Sequence, residues 1–221
     1  MRTINTNNAQ PGFYHAEGEG KGKIGVLIES HYDETEFRVF NTYFPSQGFE
    51  VEYISNLWGN EQLIFTGNDM TSQVAVQVDV STRKPTDYDG IILIGGYAMD
   101  RLRYEANPVQ GQSNQAPAVQ FLREAVKAMD EKELFVGTIC HSLWLFCADP
   151  ALLQGRSVTC SHNILYDVQN AGANVVFDGN QTSELIQEGH LITGKHPEVV
   201  NEFVEKFASS ILHHQGSVIS P

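Results

Sequence analysis

A doubly wound α/β fold is predicted by two observations: a mostly parallel sheet with helices on both faces, plus a small edge hairpin. Tyr88-Asp89-Gly90-Ile91-Ile92-Leu93-Ile94 runs without polar alternation, as a strand covered on both faces does. Short apolar strands also alternate along the chain with segments whose apolar side chains recur at helical spacing, which is the order that builds a parallel sheet.

Taken in order, residues 1–22 are polar and Gly-rich (Glu17-Gly18-Glu19-Gly20-Lys21-Gly22) and predict a flexible extension with no packed element. They lack the strand–glycines–helix order of a phosphate loop. Ile24-Gly25-Val26-Leu27-Ile28 predicts the first buried strand, and residues 34–47 a helix that ends before Gly48. Phe49-Glu50-Val51-Glu52-Tyr53-Ile54 alternates as a second strand, and residues 61–81 predict the hairpin or edge strands. After the strand at 88–94 come a surface loop over 105–117 and a helix from Val119 to Met129. Leu134-Phe135-Val136-Gly137-Thr138-Ile139 predicts a short buried strand, and His141 to Ala148 the first turns of an apolar helix. Strands at 157–160, 174–177 and 190–193 follow, with a helix near 163–171 and a last helix from Pro197 to about His213. This gives one α/β domain over 23–215 and a tail over 216–221, with no internal repeat.

Composition narrows the function classes. A chain of 221 residues with 41% apolar content buries a full core. With 27 acidic residues against 14 basic, a formal charge of −13 and no Lys/Arg cluster, neither nucleic acid nor an anionic membrane is an expected partner. Cys140, Cys147 and Cys160 are too few for a disulfide framework, form no CxxC pair for a metal, and fit a reducing cytosol. The start of the chain has no basic stretch followed by an apolar one, so no secretory signal is expected, and no apolar run approaches a membrane span of roughly 20 residues. The expectation is a cytoplasmic protein with no metal and no cofactor.

Strand ends are where a doubly wound sheet places its site, and three of them carry chemistry. Cys140 stands at the strand-to-helix corner, where the unpaired N–H groups and the dipole of a new helix favour thiolate, the nucleophilic form. The alternative is one more small buried apolar residue. His141 follows it as a possible base or acid. Gly95-Gly96 closes the strand before it: a tight turn, or a place where backbone N–H groups approach an oxyanion. Asp33-Glu34-Thr35-Glu36 follows the first strand. Asp33 and Glu34 are read as serving the helix dipole, whereas Glu36, beside Phe37, points inward, where a carboxylate needs a partner.

In this order and spacing the landmarks resemble the PfpI/ThiJ family of intracellular cysteine proteins, within the class I glutamine amidotransferase-like superfamily. They are Asp33-Glu34-Thr35-Glu36-Phe37, Ile94-Gly95-Gly96 with Asp100-Arg101-Leu102-Arg103, Ile139-Cys140-His141, Asn170-Ala171-Gly172-Ala173 and Leu191-Ile192-Thr193-Gly194. The resemblance covers nearly everything from Lys23 onward and implies a flavodoxin-like sheet. It implies Cys140 as nucleophile, Glu36 as the carboxyl group hydrogen-bonded to it, and an oxyanion site at the N–H groups of Gly96 and His141, beside Gly95. It further implies that Asp100 orients the histidine across a subunit interface, so the expected active unit is a homo-oligomer, a dimer or larger. The chain departs from the pattern in three places. Ser142 stands where the family usually has glycine and would crowd the corner, residues 107–115 look like an insertion able to cover the pocket, and the GGHG signature of the larger chaperone-glyoxalase branch is absent.

A competing triad of nucleophile, base and orienting acid is Cys140, His196 and Glu198, since His196-Pro197-Glu198 is similar to the histidine and glutamate of glutamine amidotransferases. Thr138 and Ser142 replace the glycines usual around that cysteine, and Pro197 also suits the first turn of a helix. Two function classes follow. One is a cysteine-dependent hydrolase or lyase acting on a peptide, amide or small aldehyde. The other is a redox sensor or chaperone-like stress protein that uses an oxidisable Cys140 without turnover.

Overall fold

A computed structural model describes residues 8–219. The strands are β1 (Gln10–Pro11), β2 (Phe13–Tyr14), β3 (Gly22–Leu27), β4 (Phe49–Ile54), β5 (Leu63–Thr66), β6 (Gln73–Val76), β7 (Gly90–Leu93), β8 (Phe135–Ile139), β9 (Ser157–Val158), β10 (Asn174–Val175), β11 (Phe177–Asp178), β12 (Gln181–Thr182), β13 (Leu185–Glu188) and β14 (Leu191–Gly194). The helices are α1 (Glu34–Ser46), α2 (Ala98–Leu102), α3 (Pro117–Asp130), α4 (Trp144–Cys147), α5 (Leu165–Asn170) and α6 (Val200–Ile219).

Seven strands form the main sheet in the order β13-β14-β8-β7-β3-β4-β2. The inner pairs are parallel, and the edge strands β13 and β2 are antiparallel to their neighbours. The chain runs from β3 out to β4, then crosses back to β7 on the other side of β3, so a topological switch lies between β3 and β7. Leu27 pairs with Leu93 and Leu93 with Thr138, which sets the carboxyl ends of β3, β7 and β8 level with one another. Everything that follows those three strands therefore converges on one crevice.

The sheet is held by aromatic packing. Phe40 and Phe44 of α1 meet Phe203 and Phe207 of α6, with ring centroids 6.3 and 6.2 Å apart in the pairs Phe40–Phe203 and Phe44–Phe207, and all four are fully buried. Each such side chain contributes roughly 1.5–3 kcal/mol by leaving water. The rings of Phe203 and Phe207 lie over Gly90 and Gly137 of the central strands. On the other face α3 buries Val119, Leu122, Ala125, Val126 and Met129 along one stripe.

The hairpin predicted over 61–81 is β5–β6, antiparallel, with β1 added parallel to β6. Four expectations need correction. Residues 10–14 are packed: Tyr53 N–H donates to Gly12 C=O at 2.8 Å, and the Tyr14 ring sits 6.4 Å from that of Phe37 and 6.2 Å from that of Tyr53. Residues 1–7 of the expected extension lie outside the described residues. The helix expected to begin at His141 is a turn through Leu143, and α4 has four residues, because Ser142 Oγ accepts Ile139 N–H at 2.7 Å and tightens the corner. The strand expected over 174–177 is split between β10 and β11. The last helix runs on through most of the expected tail, since Ile211 is buried and Gln215 Nε2 donates to Lys21 C=O at 3.1 Å and to Asp89 Oδ1 at 3.0 Å.

Candidate active site

Cys140 adopts φ 60°, a left-handed conformation that a non-glycine residue keeps only when its surroundings impose it. Here its N–H donates to Gly194 C=O at 3.0 Å and its C=O accepts Ser161 N–H at 3.3 Å, while Ser142 closes the turn behind it. The side chain is 7% exposed and lines a hollow of about 460 Å³. Ser142 therefore braces the corner rather than crowding it.

Glu36 is fully buried in the first turn of α1. Asp33 caps that helix, with Oδ1 accepting Thr35 N–H and Glu36 N–H, each at 2.9 Å, as the dipole reading expected. Glu36 Oε2 accepts Gly95 N–H at 2.6 Å, and Oε1 has no hydrogen-bond partner among the described residues. The oxygen faces the cysteine: a Cβ on Gly95 would lie 2.5 Å from Glu36 Oε1 and 2.9 Å from Cys140 Cβ. Gly95 is thus obligatory, and its N–H is spent on Glu36. This removes Gly95 as an oxyanion donor. The N–H groups of Gly96 and His141 meet no acceptor oxygen among the described residues.

Burial, then the charge of Asp33, push the Glu36 carboxyl well above the usual carboxylate range, and the Gly95 N–H only partly opposes them. Burial and the Glu36 charge push the Cys140 thiol up, against the backbone N–H groups of Gly96 and His141, which pull it down. Burial is the first cause of both shifts, and at Cys140 the Glu36 charge adds to it. A proton on Glu36 removes that charge from beside the sulfur, while burial and the weaker push of Asp33 remain. The four-residue α4 supplies little dipole, contrary to the helix-start expectation for Cys140; the local N–H groups act in its place.

His141 is buried, with its ring 5.5 Å from that of Tyr97 and 5.0 Å from that of Trp144, and its Nδ1 has no partner among the described residues. Burial, then the charge of His196, push its pKa down. Asp100 does not reach it within the chain: Arg103 holds the Asp100 carboxylate at 2.5 and 3.0 Å. His196 and Glu198 line the same hollow, with Nδ1 and Oε2 3.9 Å apart, so both histidines of the rival readings face one cavity with Cys140.

Residues 105–107 and 115–117 line a separate hollow with Trp58 and Tyr104, so the insertion does not cover Cys140. Phe146 is core, and Trp144 packs on His141. The sequence reading missed Asn68, Tyr97, Ser161 and Asn163 on the walls. Tyr97 was findable as the residue after Gly96; Asn68 was not. Asn68 is placed by Glu34, whose Oε1 accepts Thr71 N–H, Ser72 N–H and Ser72 Oγ–H and whose Oε2 accepts Asp69 N–H, at 2.8–3.0 Å. Glu34 stands in the first turn of α1 as expected and also anchors the loop beside the hollow. No group of three or more His, Cys, Asp or Glu side chains among the described residues is arranged to hold a metal ion, and no helix among them is long and apolar enough to cross a membrane.

Comparison with known proteins bears on the family and the fold. The DJ-1/PfpI family model matches residues 22–210. An uncharacterized protein of Staphylococcus haemolyticus is 26% identical over 181 residues, covering 82% of this chain and 92% of its own. A two-domain protein from Anabaena variabilis, with DJ-1/ThiJ/PfpI-like and ferritin-like domains, superposes with a TM-score of 0.72 at 24% identity over 86% of this chain and 48% of that one, so this chain spans about half of its length. A DJ-1 superfamily protein of Salmonella typhimurium gives 0.68 at 22%, over 87% and 91%, and Drosophila melanogaster DJ-1beta gives 0.66 at 14%, over 92% and 100%. These structures share the fold.

Proposed function

We propose a function from one premise: the chain belongs to the DJ-1/PfpI family. The proposed activity is that of a cysteine-dependent hydrolase or lyase, in which Cys140 attacks the carbonyl carbon of a peptide, an amide or a small aldehyde. The single observation that carries it is the placement of Cys140, at φ 60° on the wall of a hollow and beside a buried Glu36 whose Oε1 lacks a partner.

In the proposed sequence Cys140 and Glu36 share one proton, which Glu36 keeps and directs from Oε1 toward the sulfur, so Cys140 ionises without the Glu36 charge beside it. The thiolate forms a C–S bond, and the carbonyl electron pair moves to oxygen. The Gly96 and His141 N–H groups are placed to receive that oxyanion. His141, held neutral by burial, takes up and returns the proton of the attacking or leaving group, with His196 as the competing base.

The unpartnered His141 Nδ1 supports a homo-oligomer in which Asp100 of a second copy reaches the imidazole. Asp100 is exposed on α2, whose Ala98, Met99 and Leu102 are buried, and the imidazole Nδ1 has no hydrogen-bond partner among the described residues. The deciding experiment screens wild type against Cys140→Ser with aldehydes, amides and peptides, and follows intact mass after peroxide. Turnover lost in Cys140→Ser supports the enzyme. Clean addition of two oxygens to Cys140, with no turnover of any substrate, overturns it in favour of a redox sensor.

A further inference from the structure

We propose that the Cys140 hollow selects by charge, favouring carbonyl compounds that carry an ammonium group and turning away those that carry a carboxylate, through Asp33, Glu198 and the Tyr97 ring. This rests on the proposed reactivity of Cys140 and adds the substrate class. Both acids line the hollow, and no lysine or arginine does among the described residues.

Asp33 uses only Oδ1 to cap α1, and Oδ2 has no protein donor among the described residues. Glu198 stands at the mouth with its side chain 87% exposed. Tyr97, 45% exposed, offers a ring face of the kind that attracts cations. Arg38 Nη2 reaches the wall residue Thr35 at 3.5 Å, and the other nearby cations are committed elsewhere. Arg101 Nε bonds Glu29 Oε1 at 3.2 Å, Arg103 clasps Asp100 and lies 5.4 Å from the Trp144 ring, and Lys195 Nζ reaches Gln181 at 3.4 Å. The remaining walls include the neutral polar side chains of Thr35, Asn68, Ser161 and Asn163. An ammonium group beside the scissile carbonyl meets two carboxylates and an aromatic face; a carboxylate there meets the same two charges with the wrong sign.

The test needs no known substrate. Cys140 is modified with 2-(trimethylammonio)ethyl, 2-sulfonatoethyl and methyl methanethiosulfonate, at about pH 8, above the ordinary histidine range. Rates are read at Cys140 by peptide mass and normalised to those of 2-mercaptoethanol. The expected cation-to-anion ratio exceeds that of the small thiol roughly tenfold, shrinks with added salt, shrinks in Glu198→Gln and inverts in Glu198→Lys. Normalised rates equal for cation and anion, with brisk reaction of the methyl reagent, overturn the charge selection and leave the nucleophile intact. Failure of all three reagents at Cys140 removes the reactive cysteine and the selection with it.

Discussion

Glu36 and Cys140 meet in the space that a side chain on Gly95 would fill, the carboxyl Oε1 and the cysteine Cβ each lying within 3 Å of that missing atom's position, at 2.5 and 2.9 Å. Three neighbouring strands bring them there: α1 follows β3, the glycines follow β7 and the cysteine follows β8. A buried acid with one unpartnered oxygen costs stability unless it keeps its proton.

That cost is measurable against pH. Because the Glu36 carboxyl is pushed up in the folded protein, the folded state holds a proton that the unfolded chain has lost. Stability from this group is complete below about pH 4.3, the unfolded value, and falls as pH rises toward the folded one, by at most about 1.4 kcal/mol per pH unit. In a Cys140→Ser background, Glu36→Gln should therefore gain Tm relative to its parent as pH rises from about 4 toward neutrality. A Tm difference that is flat across that window contradicts a neutral Glu36.

Gly96 is fixed by sterics as well as by conformation. It has φ +73°, and a Cβ would stand 2.2 Å from His31 C=O and 2.8 Å from Asp33 N, both backbone atoms. Gly18 has φ +80° with nothing within 4 Å. Gly18→Ala should cost about 1 kcal/mol, and Gly96→Ala clearly more, together with loss of Cys140 reactivity. Equal Tm losses in the two variants would show that the contact with the 31–33 backbone is unimportant.

Glu34→Ala removes every side-chain acceptor on the Asp69, Thr71 and Ser72 N–H groups. Hydrogen exchange at those three amides should accelerate sharply, with a loss of at least about 2 kcal/mol in global stability. Unchanged protection would mean that the loop holds its shape, and Asn68 its place, without the carboxylate.

The layering was legible because the apolar run through Ile91, Ile92 and Leu93 has a single reading, burial on both faces. Cys140, Glu36 and Gly96 were legible because each breaks a local rule: a thiol at a corner, an acid on an apolar face, a glycine pair where a strand stops. Phe13 and Tyr14 were hidden by their polar neighbours, since a two-residue edge strand has no periodicity to detect. The short α4 was hidden because the side-chain bond from Ile139 N–H to Ser142 Oγ depends on a turn that sequence pattern does not encode. The spending of Gly95 N–H on Glu36, and the Glu34 anchor on a loop some 35 residues away, are contacts between distant segments that only the folded chain brings together.

The central claim is that Cys140 is ionised near neutrality because Glu36 holds the shared proton. Its most direct test is the pH profile of iodoacetamide alkylation at each cysteine, read by peptide mass. Cys147 and Cys160, pushed up by burial to about 11 and about 12, serve as internal references. The account predicts that the Cys140 rate reaches its plateau below about pH 8.5, the ordinary thiol value, while the other two are still climbing. A Cys140 rate that climbs in parallel with theirs would contradict it.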